Sequence, residues 1–526
     1  MDIMSRVRLN PIHIVVVALL VSLVLTGQDT NRTIRPTSEY NIRTFGAKGD
    51  GKTLDTPAVN RAIDAAAAAG GGTVWFPAGS YLCFSIHLKS HVALYLDQGA
   101  TIIAASPAGD GGRYDAPEAN EWSQYQDFGH SHWHNSLIWG ESVQNVSILG
   151  PGMIWGKGLV RDDPAADGAG DKAIGLKLAR NVVIRDISIL HGGHFGIIAT
   201  GVDNLTIDNV KIDTNRDGMN IDSCRNVRIS NASVNSPFDD GICLKSSYGL
   251  GVARATENVT ITNCQVSGYD EGSFLDGTYK RRQGDPSTYS RSTPTGRIKF
   301  GTESNGGFKN ITISNCVFDY SRGLALETVD GGWLEDVTID NITMRDIVNA
   351  PFFLRLGNRA RGPKESTDVG KFRRVNISNV VVYNAEPRYG SIISGIPGHE
   401  VEDLKLNNIT MFYRGGGTRE QATLEPPEEE TKYPEPTMFG DIPAYGFFIR
   451  HVKGIEMNNV DVRYLKDDLR SPFLLNGVRD AGFTHVKAQH ASDVPAFVLK
   501  DVENFSTHQT AQLPDTRMDR VKQGKY

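Results

Sequence analysis

The sequence has no excess of basic residues. Its 526 residues contain 55 Lys and Arg against 61 Asp and Glu, which gives a formal net charge of −6. A nucleic-acid partner is therefore not expected, because binding to phosphates needs a basic surface. The sequence also lacks a glycine-rich phosphate-binding loop and a nucleophile elbow, so neither nucleotide chemistry nor a serine-hydrolase mechanism is indicated. No cofactor is predicted.

Cysteine is scarce, with five residues in the chain. An odd number cannot all pair within one molecule, so at least one is predicted to be a free thiol or part of an intermolecular bridge. Cys264 and Cys316 both fall at an apolar position of the repeat described below, and they are predicted to be small buried core residues. The pairing of the other three stays open.

An apolar run near the N-terminus is too short to span a membrane. It extends from Ile12 to Leu25, after Arg6 and Arg8. Spanning requires about 20 residues, so a cleaved signal peptide over residues 1–27 is favoured over a membrane anchor. No Cys follows the run, so a lipid anchor is not indicated. These features predict a secreted or periplasmic protein with no membrane partner once the signal is removed.

What the sequence does contain is a nine-residue pattern that returns ten times. A polar residue comes first, apolar residues take the second, fourth, seventh and ninth places, and Asn takes the sixth place in most copies. This alternation, with frequent Val, Ile and Thr, is typical of short strands, and regular repetition is typical of a solenoid. The pattern predicts an all-β fold, a parallel β-helix, in which equivalent residues of successive coils lie about 4.8 Å apart. The copies begin at Asn145, Asn181, Asn204, Asn226, Asn258, Asn310, Asp336, Arg374, Asp403 and Gly454.

The chain is predicted to form one long domain with an N-terminal cap, because the core of a solenoid grows along one axis. Residues 28–110 are assigned to the cap and first coils, with a helix over Ala58–Ala69 that begins at Thr56-Pro57. The β-helix is expected over residues 111–505, and residues 506–526, which carry no repeat, are predicted to be a loosely ordered tail. Long loops commonly carry function, and three are found at 105–135, 272–296 and 415–445.

Three Asp residues are expected on one face of the coil. Asp217 lies 13 residues after Asn204, and Asp239 lies 13 residues after Asn226. These equivalent positions predict that the two stack on consecutive coils, with Asp240 beside them. Like charges this close push their pKa values apart, so that one group holds a proton while another is ionised, as cleavage of a glycosidic bond requires. The alternative is a purely structural role, since Asp-Gly is a common turn dipeptide.

The segments around these acids resemble glycoside hydrolase family 28, the polygalacturonase and rhamnogalacturonan hydrolase family. Asn215–Gly218 is similar to the family's Asn-Thr-Asp-Gly motif, and Phe238–Ser246 is similar to its Asp-Asp-Cys-Ile-Ala-Leu-Lys-Ser block. The resemblance implies a right-handed parallel β-helix and an inverting, metal-independent hydrolase. It makes Asp239 the general acid, with Asp217 and Asp240 holding and activating the water as general base.

Two family motifs are absent, which bears on the substrate. No His stands where the family has Gly-His-Gly, and Ala325-Leu326-Glu327 stands where it has the Arg-Ile-Lys that grips a uronate carboxylate. A neutral sugar at the cleaved position, such as the rhamnose of rhamnogalacturonan, is therefore favoured, unless a uronate is gripped from elsewhere. Inversion also needs about 6.5–9.5 Å between the carboxyl groups, so the acids are expected to splay apart. The candidate substrate-binding residues are Asn215, Lys245, Arg297, Lys299 and Arg355.

The leading interpretation is a monomeric, exported hydrolase of a pectic poly- or oligosaccharide, either galacturonan or rhamnogalacturonan. A calcium-dependent polysaccharide lyase on the same scaffold, and a non-catalytic carbohydrate-binding β-helix, stay open as alternatives. His130, His132 and His134 alternate like metal ligands on a strand. No carboxylate at a fixed spacing accompanies them, so no metal site is predicted.

Overall fold

A computed structural model describes residues 38–162, 164–281, 294–364, 367–511 and 513–526. Glu39–Tyr526 forms one unit, which contains residues of both the region assigned to the cap and first coils and the region assigned to the β-helix. The signal peptide predicted over residues 1–27 lies outside the described residues. In the described part of the chain, no helix is long and apolar enough to cross a membrane.

The strands stack coil on coil into a parallel β-helix, as the repeat predicted, and the helix is right-handed, as the family resemblance implied. Each early coil contributes one strand to each of three parallel sheets. The first sheet contains β1 (Glu39–Asn41), β3 (Gly72–Phe76), β6 (Val92–Leu96), β9 (Gln144–Leu149), β12 (Arg180–Arg185), β15 (Asp203–Asp208), β18 (Arg225–Ser230) and β21 (Thr256–Thr262). The second contains β2 (Asp50–Leu54), β4 (Gly79–Cys83), β7 (Ala100–Ala104), β10 (Met153–Trp155), β13 (Ser188–Leu190), β16 (Lys211–Asp213), β19 (Ser233–Asn235) and β22 (Gln265–Ser267).

The third sheet positions the acidic residues discussed below. It contains β5 (Ile86–His87), β8 (Ser136–Glu141), β11 (Lys172–Lys177), β14 (Phe195–Thr200), β17 (Asp217–Asp222), β20 (Ile242–Ser246), β23 (Ile298–Ser304), β25 (Leu324–Thr328), β27 (Phe352–Leu356) and β29 (Ser391–Ser394). In the later coils, longer strands continue these sheets. They are β24 (Phe308–Asp319), β26 (Trp333–Arg345), β28 (Lys371–Ala385), β30 (Val401–Gly415), β31 (Ala444–Lys466), β32 (Ser471–Thr484), the short β33 (Lys487–Ala488), and β34 (Phe497–His508).

The first and sixth places of the repeat are bends. Asn181, Asn204, Asn209 and Asn231 all have positive φ values between 51° and 58°, and Asn tolerates this conformation better than most residues with a side chain. The side chains also bond along the helix axis, since Nδ2 of Asn204 donates to Oδ1 of Asn181 at 2.8 Å. Bend geometry and these amide ladders together explain why Asn recurs in the sequence.

The apolar places of the repeat form the core. Ile184, Ile207 and Ile229, all at the fourth place, face one another in register and are fully buried. Burying apolar surface stabilises the fold by about 25 cal/mol for each Å² that is removed from water. Cys264 and Cys316 are buried as predicted, and all five cysteines are free thiols.

The N-terminal cap is the helix α1 (Thr56–Ala68), close to the predicted Ala58–Ala69. Its buried face, which includes Val59 and Ile63, covers the first coils and protects their strand edges from pairing with other chains. Gly70, just beyond its end, has a φ of 90° and stops the helix. Short 3₁₀ helices lie at Ile42–Phe45, Ser123–Tyr125, Phe128–Ser131, Gln421–Thr423 and Pro436–Phe439.

The last residues are more ordered than the tail predicted for 506–526. Strand β35 (Thr516–Lys525) pairs antiparallel with β34, with Val521 opposite Val502. It covers the edge of the last coil, where unpaired backbone groups would otherwise be exposed. The strand carries no copy of the repeat and is rich in charged residues, so its sequence pattern did not indicate it.

Candidate active site

The starts of β17 and β20 bring two acidic turns together. The two strands pair in parallel, and the backbone N–H of Gly218 donates to the carbonyl of Asp240 at 3.0 Å. This register places Asp240 above Asp217. The prediction that Asp239 stacks on Asp217 is wrong by one residue, because the turn before β20 is one residue longer than the turn before β17.

The structure brings all three acids together. One carboxylate oxygen each of Asp217, Asp239 and Asp240 lies within 4.8 Å of one oxygen of the other two. They do not splay to the expected separation of about 6.5–9.5 Å, because the three residues occupy adjacent turns of neighbouring coils. Asp217 and Asp240 are 4% and 3% exposed, whereas the side chain of Asp239 is 27% exposed. Asp239 is therefore the acid that is most accessible to a ligand.

The acids differ in their affinity for a proton. Burial, and then the negative charge of Asp239, raise the pKa of Asp217 well above its ordinary value. Burial also opposes ionisation of Asp240, but the Lys299 ammonium and the Arg297 guanidinium outweigh it and lower the pKa of Asp240. Nε of Arg297 donates to Oδ1 of Asp240 at 2.7 Å, and Nζ of Lys299 lies 3.4 Å from Oδ2. Asp217 therefore keeps a proton to higher pH than Asp240, which lies beside it.

These acids border an open cavity of about 610 Å³. Asp239 and Asp240 line it directly, and Asp217 lies behind them. Pockets of this volume are typical of sites for small ligands. The other lining residues are Arg161, Asp162, Asn215, Arg216, Phe238, Thr295, Arg297, Lys299, Arg322, Tyr433, Glu435 and Thr437.

Arg216 contacts the exposed acid. Its Nη2 lies 2.9 Å from Oδ2 of Asp239 and 3.4 Å from Nε2 of His194. Burial, and then the Arg216 cation, lower the pKa of His194 well below its ordinary value, so the imidazole is neutral. Nδ1 of His194 lies 3.1 Å from the carbonyl of Arg161, which leaves Nε2 to accept from the guanidinium. His194 therefore helps to orient Arg216 toward Asp239.

Arg297 and Lys299 lie in the cavity, but both are held by protein acids. Nη2 of Arg297 donates to Oε1 of Glu435 at 2.5 Å, and Nζ of Lys299 lies 3.5 Å from Oε2 of Glu327. Burial raises the pKa of Glu327 to about 7, with these two cations opposing the rise. In this structure both cations stabilise the ionised form of Asp240.

Asn215 lines the cavity, whereas Lys245 lies beneath it. Nζ of Lys245 is 2.6 Å from Oε2 of Glu303, and the two side chains are only 7% and 2% exposed. Although burial opposes the charged ammonium, Glu303 raises the pKa of Lys245 well above its ordinary value. Lys245 thus has a buried carboxylate partner, and the substrate contact predicted for it stays a prediction.

Arg355, which was predicted to bind substrate, is not among the residues that line this cavity. Its side chain is buried, and Nη2 donates to the carbonyls of Glu428 and Glu429 at 3.0 and 3.1 Å. Arg450 donates in the same way to the carbonyls of the two preceding prolines. These two arginines anchor the segment 415–445 to the β-helix. A sequence reading cannot separate such an anchor from a ligand-binding cation.

The segment 415–445 supplies cavity residues that sequence reasoning missed. The ring of Tyr433 lines the cavity and is 52% exposed. Glu435 accepts from both Arg297 and Arg322. The length of the loop was the available signal, but nothing in the sequence showed which of its residues would reach the acids.

A second acidic group lies apart from the cavity. Glu118, His134 and Glu141 each place one ligand atom within 4.8 Å of the others. Nζ of Lys177 lies 3.0 Å from Glu141 and 3.5 Å from Glu118, so a protein cation already balances these carboxylates. His130 and His132 do not join this group. The cluster is therefore explained by internal ion pairing.

Comparison with known protein families agrees with this geometry. Residues 120–273 match the family described as glycosyl hydrolases family 28, and this segment contains all three acids. Residues 40–148 match the family described as rhamnogalacturonase A/epimerase, pectate lyase-like.

Similar proteins are found along most of the chain. A "probable polygalacturonase" of Vitis vinifera is 24% identical over 76% of this chain and 80% of its own length. An exo-poly-alpha-D-galacturonosidase of Dickeya chrysanthemi is 27% identical over 56% of this chain and 43% of its own length. The family 28 exopolygalacturonase of Yersinia enterocolitica shares the fold with a TM-score of 0.61 at 18% identity, over 84% of this chain and 78% of that one. The β-helix and its three converging aspartates thus lie in a chain whose residues 120–273 are similar to glycosyl hydrolases family 28.

Proposed function

We propose that this glycosyl hydrolase cleaves pectic polysaccharides by acid–base hydrolysis with inversion at the anomeric carbon. The observation that carries the proposal is the meeting of Asp217, Asp239 and Asp240 at one cavity, where the pKa of Asp217 is raised and that of Asp240 is lowered. The names of the similar proteins, a polygalacturonase and a galacturonosidase, support a pectic substrate.

Asp239 is suited to donate the proton, because it is the acid whose side chain is exposed in the cavity. The glycosidic oxygen takes this proton while its bond to the anomeric carbon breaks. Water adds to that carbon, and Asp240 takes the proton that the water loses. Three carboxylates within 4.8 Å resist full ionisation. The cluster therefore keeps a proton, held by Asp217 in the free protein and passed to Asp239 when substrate binds.

The close approach of the acids restricts where the attacking water can sit. The nearest oxygens are closer than the separation of about 6.5–9.5 Å between carboxyl groups that is typical of inverting enzymes. The water therefore approaches Asp240 from the cavity and not from between the acids. NMR spectra of the first product formed test this step. A product that keeps the anomeric configuration of the substrate would contradict inversion.

The proposed activity is tested with purified protein and a panel of pectic fragments. Polygalacturonate, methyl-esterified pectin and rhamnogalacturonan are incubated separately, and thin-layer chromatography with a reducing-end assay identifies the products. Hydrolysis predicts new reducing ends, no ultraviolet absorbance from unsaturated sugars, and equal rates with and without a chelator. A rise in ultraviolet absorbance that a chelator abolishes would instead identify a calcium-dependent lyase. No cleavage of any fragment would contradict the proposed function.

We also propose that the protein is exported. The support is the order of Arg6, Arg8 and the apolar run from Ile12 to Leu25, which is typical of a signal peptide. N-terminal sequencing of the protein from a culture that expresses the full gene tests this. A mature chain that still begins at Met1, inside the cells, would contradict export.

Replacing Arg216 by Gln is expected to move the alkaline limb of the pH–rate profile to higher pH. The Arg216 cation lowers the pKa of Asp217, so its removal raises that pKa further. Activity falls as pH rises through the pKa of the protonated cluster, and the cluster then keeps its proton to a higher pH. Profiles of kcat/KM for the two proteins measure the shift. Arg228→Gln, exposed on β18, is the matched control, and a limb that stays in place would argue against this electrostatic coupling.

A further inference from the structure

One wall of the cavity contains a carboxylate held between two arginines. Oε1 of Glu435 accepts from Nη2 of Arg297 at 2.5 Å, and Oε2 accepts from Nη1 of Arg322 at 2.9 Å. The side chains of Arg297, Arg322 and Glu435 are 2%, 15% and 18% exposed. Burial opposes ionisation of Glu435, but Arg297 and then Arg322 outweigh it and lower its pKa. Glu435 is thus an ionised carboxylate that pairs with both Arg297 and Arg322.

This pair lies beside the catalytic acids. Arg297 bonds through Nε to Asp240 and through Nη2 to Glu435, so the Glu435 carboxylate is one guanidinium away from the proposed base. Arginine binds carboxylates through directed N–H groups whatever molecule carries them. A uronate at this wall would therefore compete with Glu435 for the same donors. Displacing the Glu435 carboxylate would cost free energy, because Arg355 and Arg450 anchor the segment that carries Glu435.

The other cationic side chains that line the cavity are also paired with carboxylates of the protein. Five basic side chains line it, and in the described structure each has a protein carboxylate as its partner. A sugar carboxylate thus meets no cation here that lacks a protein counter-charge. Besides those of Arg297 and Arg322, the pairs are Arg216–Asp239, Lys299–Asp240, Lys299–Glu327 and Arg161–Glu271.

We propose that the subsite at this wall takes a sugar without a negative charge, and that Glu435 sets this preference. A neutral sugar and a methyl-esterified uronate both meet the requirement, because neither presents a free carboxylate. A free uronate would be repelled by Glu435 and would have to break its pairing with Arg297 and Arg322. The inference rests on the proposed function, and it specifies the charge of the sugar that the pectin-cleaving site accepts.

Tyr433 fits a subsite that does not depend on sugar charge. It lies two residues before Glu435 on the same segment, and its half-exposed ring lines the cavity. Its hydroxyl lies 3.3 Å from Nζ of Lys299 and 3.2 Å from Oγ1 of Thr302. The ring offers an apolar surface, with a polar tip already bonded. A sugar ring can pack on such a surface whether or not it carries a carboxylate.

The test compares wild type with Glu435→Gln on matched oligosaccharides. One arm uses unesterified oligogalacturonate, a second its methyl ester of equal length, and a third a rhamnose-containing fragment. The wild type is expected to have a higher kcat/KM on the methyl ester or on the rhamnose-containing fragment than on the unesterified arm, and the arm that leads identifies the sugar at this subsite. Glu435→Gln should raise kcat/KM on the unesterified arm, relative to kcat/KM on the other two arms, by about tenfold. This factor corresponds to the free energy of one charge-assisted hydrogen bond.

The matched control is Glu425→Gln, which removes the same charge from the same segment. Glu425 is 68% exposed and pairs with Lys500 away from the cavity, so its removal should leave the ratio unchanged. A wild type that prefers the unesterified arm, or a folded Glu435→Gln that keeps the wild-type ratio, would overturn the inference.

A binding measurement separates this inference from the proposed function. Calorimetry on the wild type, with products or short oligosaccharides from each arm, reports the charge preference even where the Glu435 variant fails to fold. Tighter binding of the unesterified oligosaccharide would overturn the inference. Absence of cleavage in all three arms would contradict the proposed function alone, because the binding preference is measured independently of turnover.

Discussion

Replacing Asp239 by Asn is expected to lower kcat by about 10²–10⁴-fold, the usual contribution of general acid catalysis. Asn has nearly the same shape as Asp but cannot give a proton to the glycosidic oxygen. The exposed carboxyl at the cavity is the group in reach of that oxygen. KM should change little, because the cavity keeps its form. Initial rates on the best pectic fragment, with single-turnover measurements, give both constants.

A surface variant shows whether such a loss is specific. Asp501 is exposed on a bend of the last coils, with a φ of 49°, and Asn adopts this conformation readily. Asp501→Asn is therefore expected to have wild-type activity. If Asp239→Asn turned over substrate at the wild-type rate, Asp239 would have no part in the mechanism and the proton donor would have to be another group.

Replacing Lys245 by Met should lower the free energy of unfolding by about 3–5 kcal/mol, the cost of breaking a buried ion pair from one side. The side chains of Lys245 and Glu303 are 7% and 2% exposed, so Met leaves a buried carboxylate without its closest cation. Arg359 and Arg361 remain 3.8 Å from Glu303 and compensate only in part. Urea unfolding followed by circular dichroism measures the loss.

A double variant shows that the cost comes from the unpaired charge. Lys245→Met combined with Glu303→Gln should recover much of the stability, because no uncompensated charge stays buried. Lys453→Met, at an exposed position of β31, should be close to wild type. Unchanged stability with a raised KM in the single variant would instead support the substrate-binding role that the sequence motif predicts for Lys245.

The fold could be predicted from the sequence because each coil contacts mainly its neighbouring coils. A nine-residue pattern is enough to specify strand, bend and strand, and its Asn residues adopt the left-handed bends and form the ladders seen at Asn181 and Asn204. The motifs around Asp217 and Asp239 identified the acids for a similar reason. Those residues lie on adjacent coils, so a short stretch of sequence contains them all.

The tertiary structure decided what depends on contacts between distant segments. Asp240 and not Asp239 stacks on Asp217 because one additional turn residue changes the register. The segment 415–445 crosses back to the cavity, so Glu435 reaches an arginine more than a hundred positions away. No periodicity relates such positions.

The sequence by itself therefore determined the β-helix, the cap and the identity of the three acids, since local pattern and the spacing of neighbouring coils specify them. Only the tertiary structure decided which cations face the cavity and which, like Arg355, anchor a loop. Among the residues that the structure describes, it also showed that each basic side chain lining the cavity has an acidic partner. The physical reason is that charge pairing acts through space, and a carboxylate meets a cation wherever the folded backbone brings the two together.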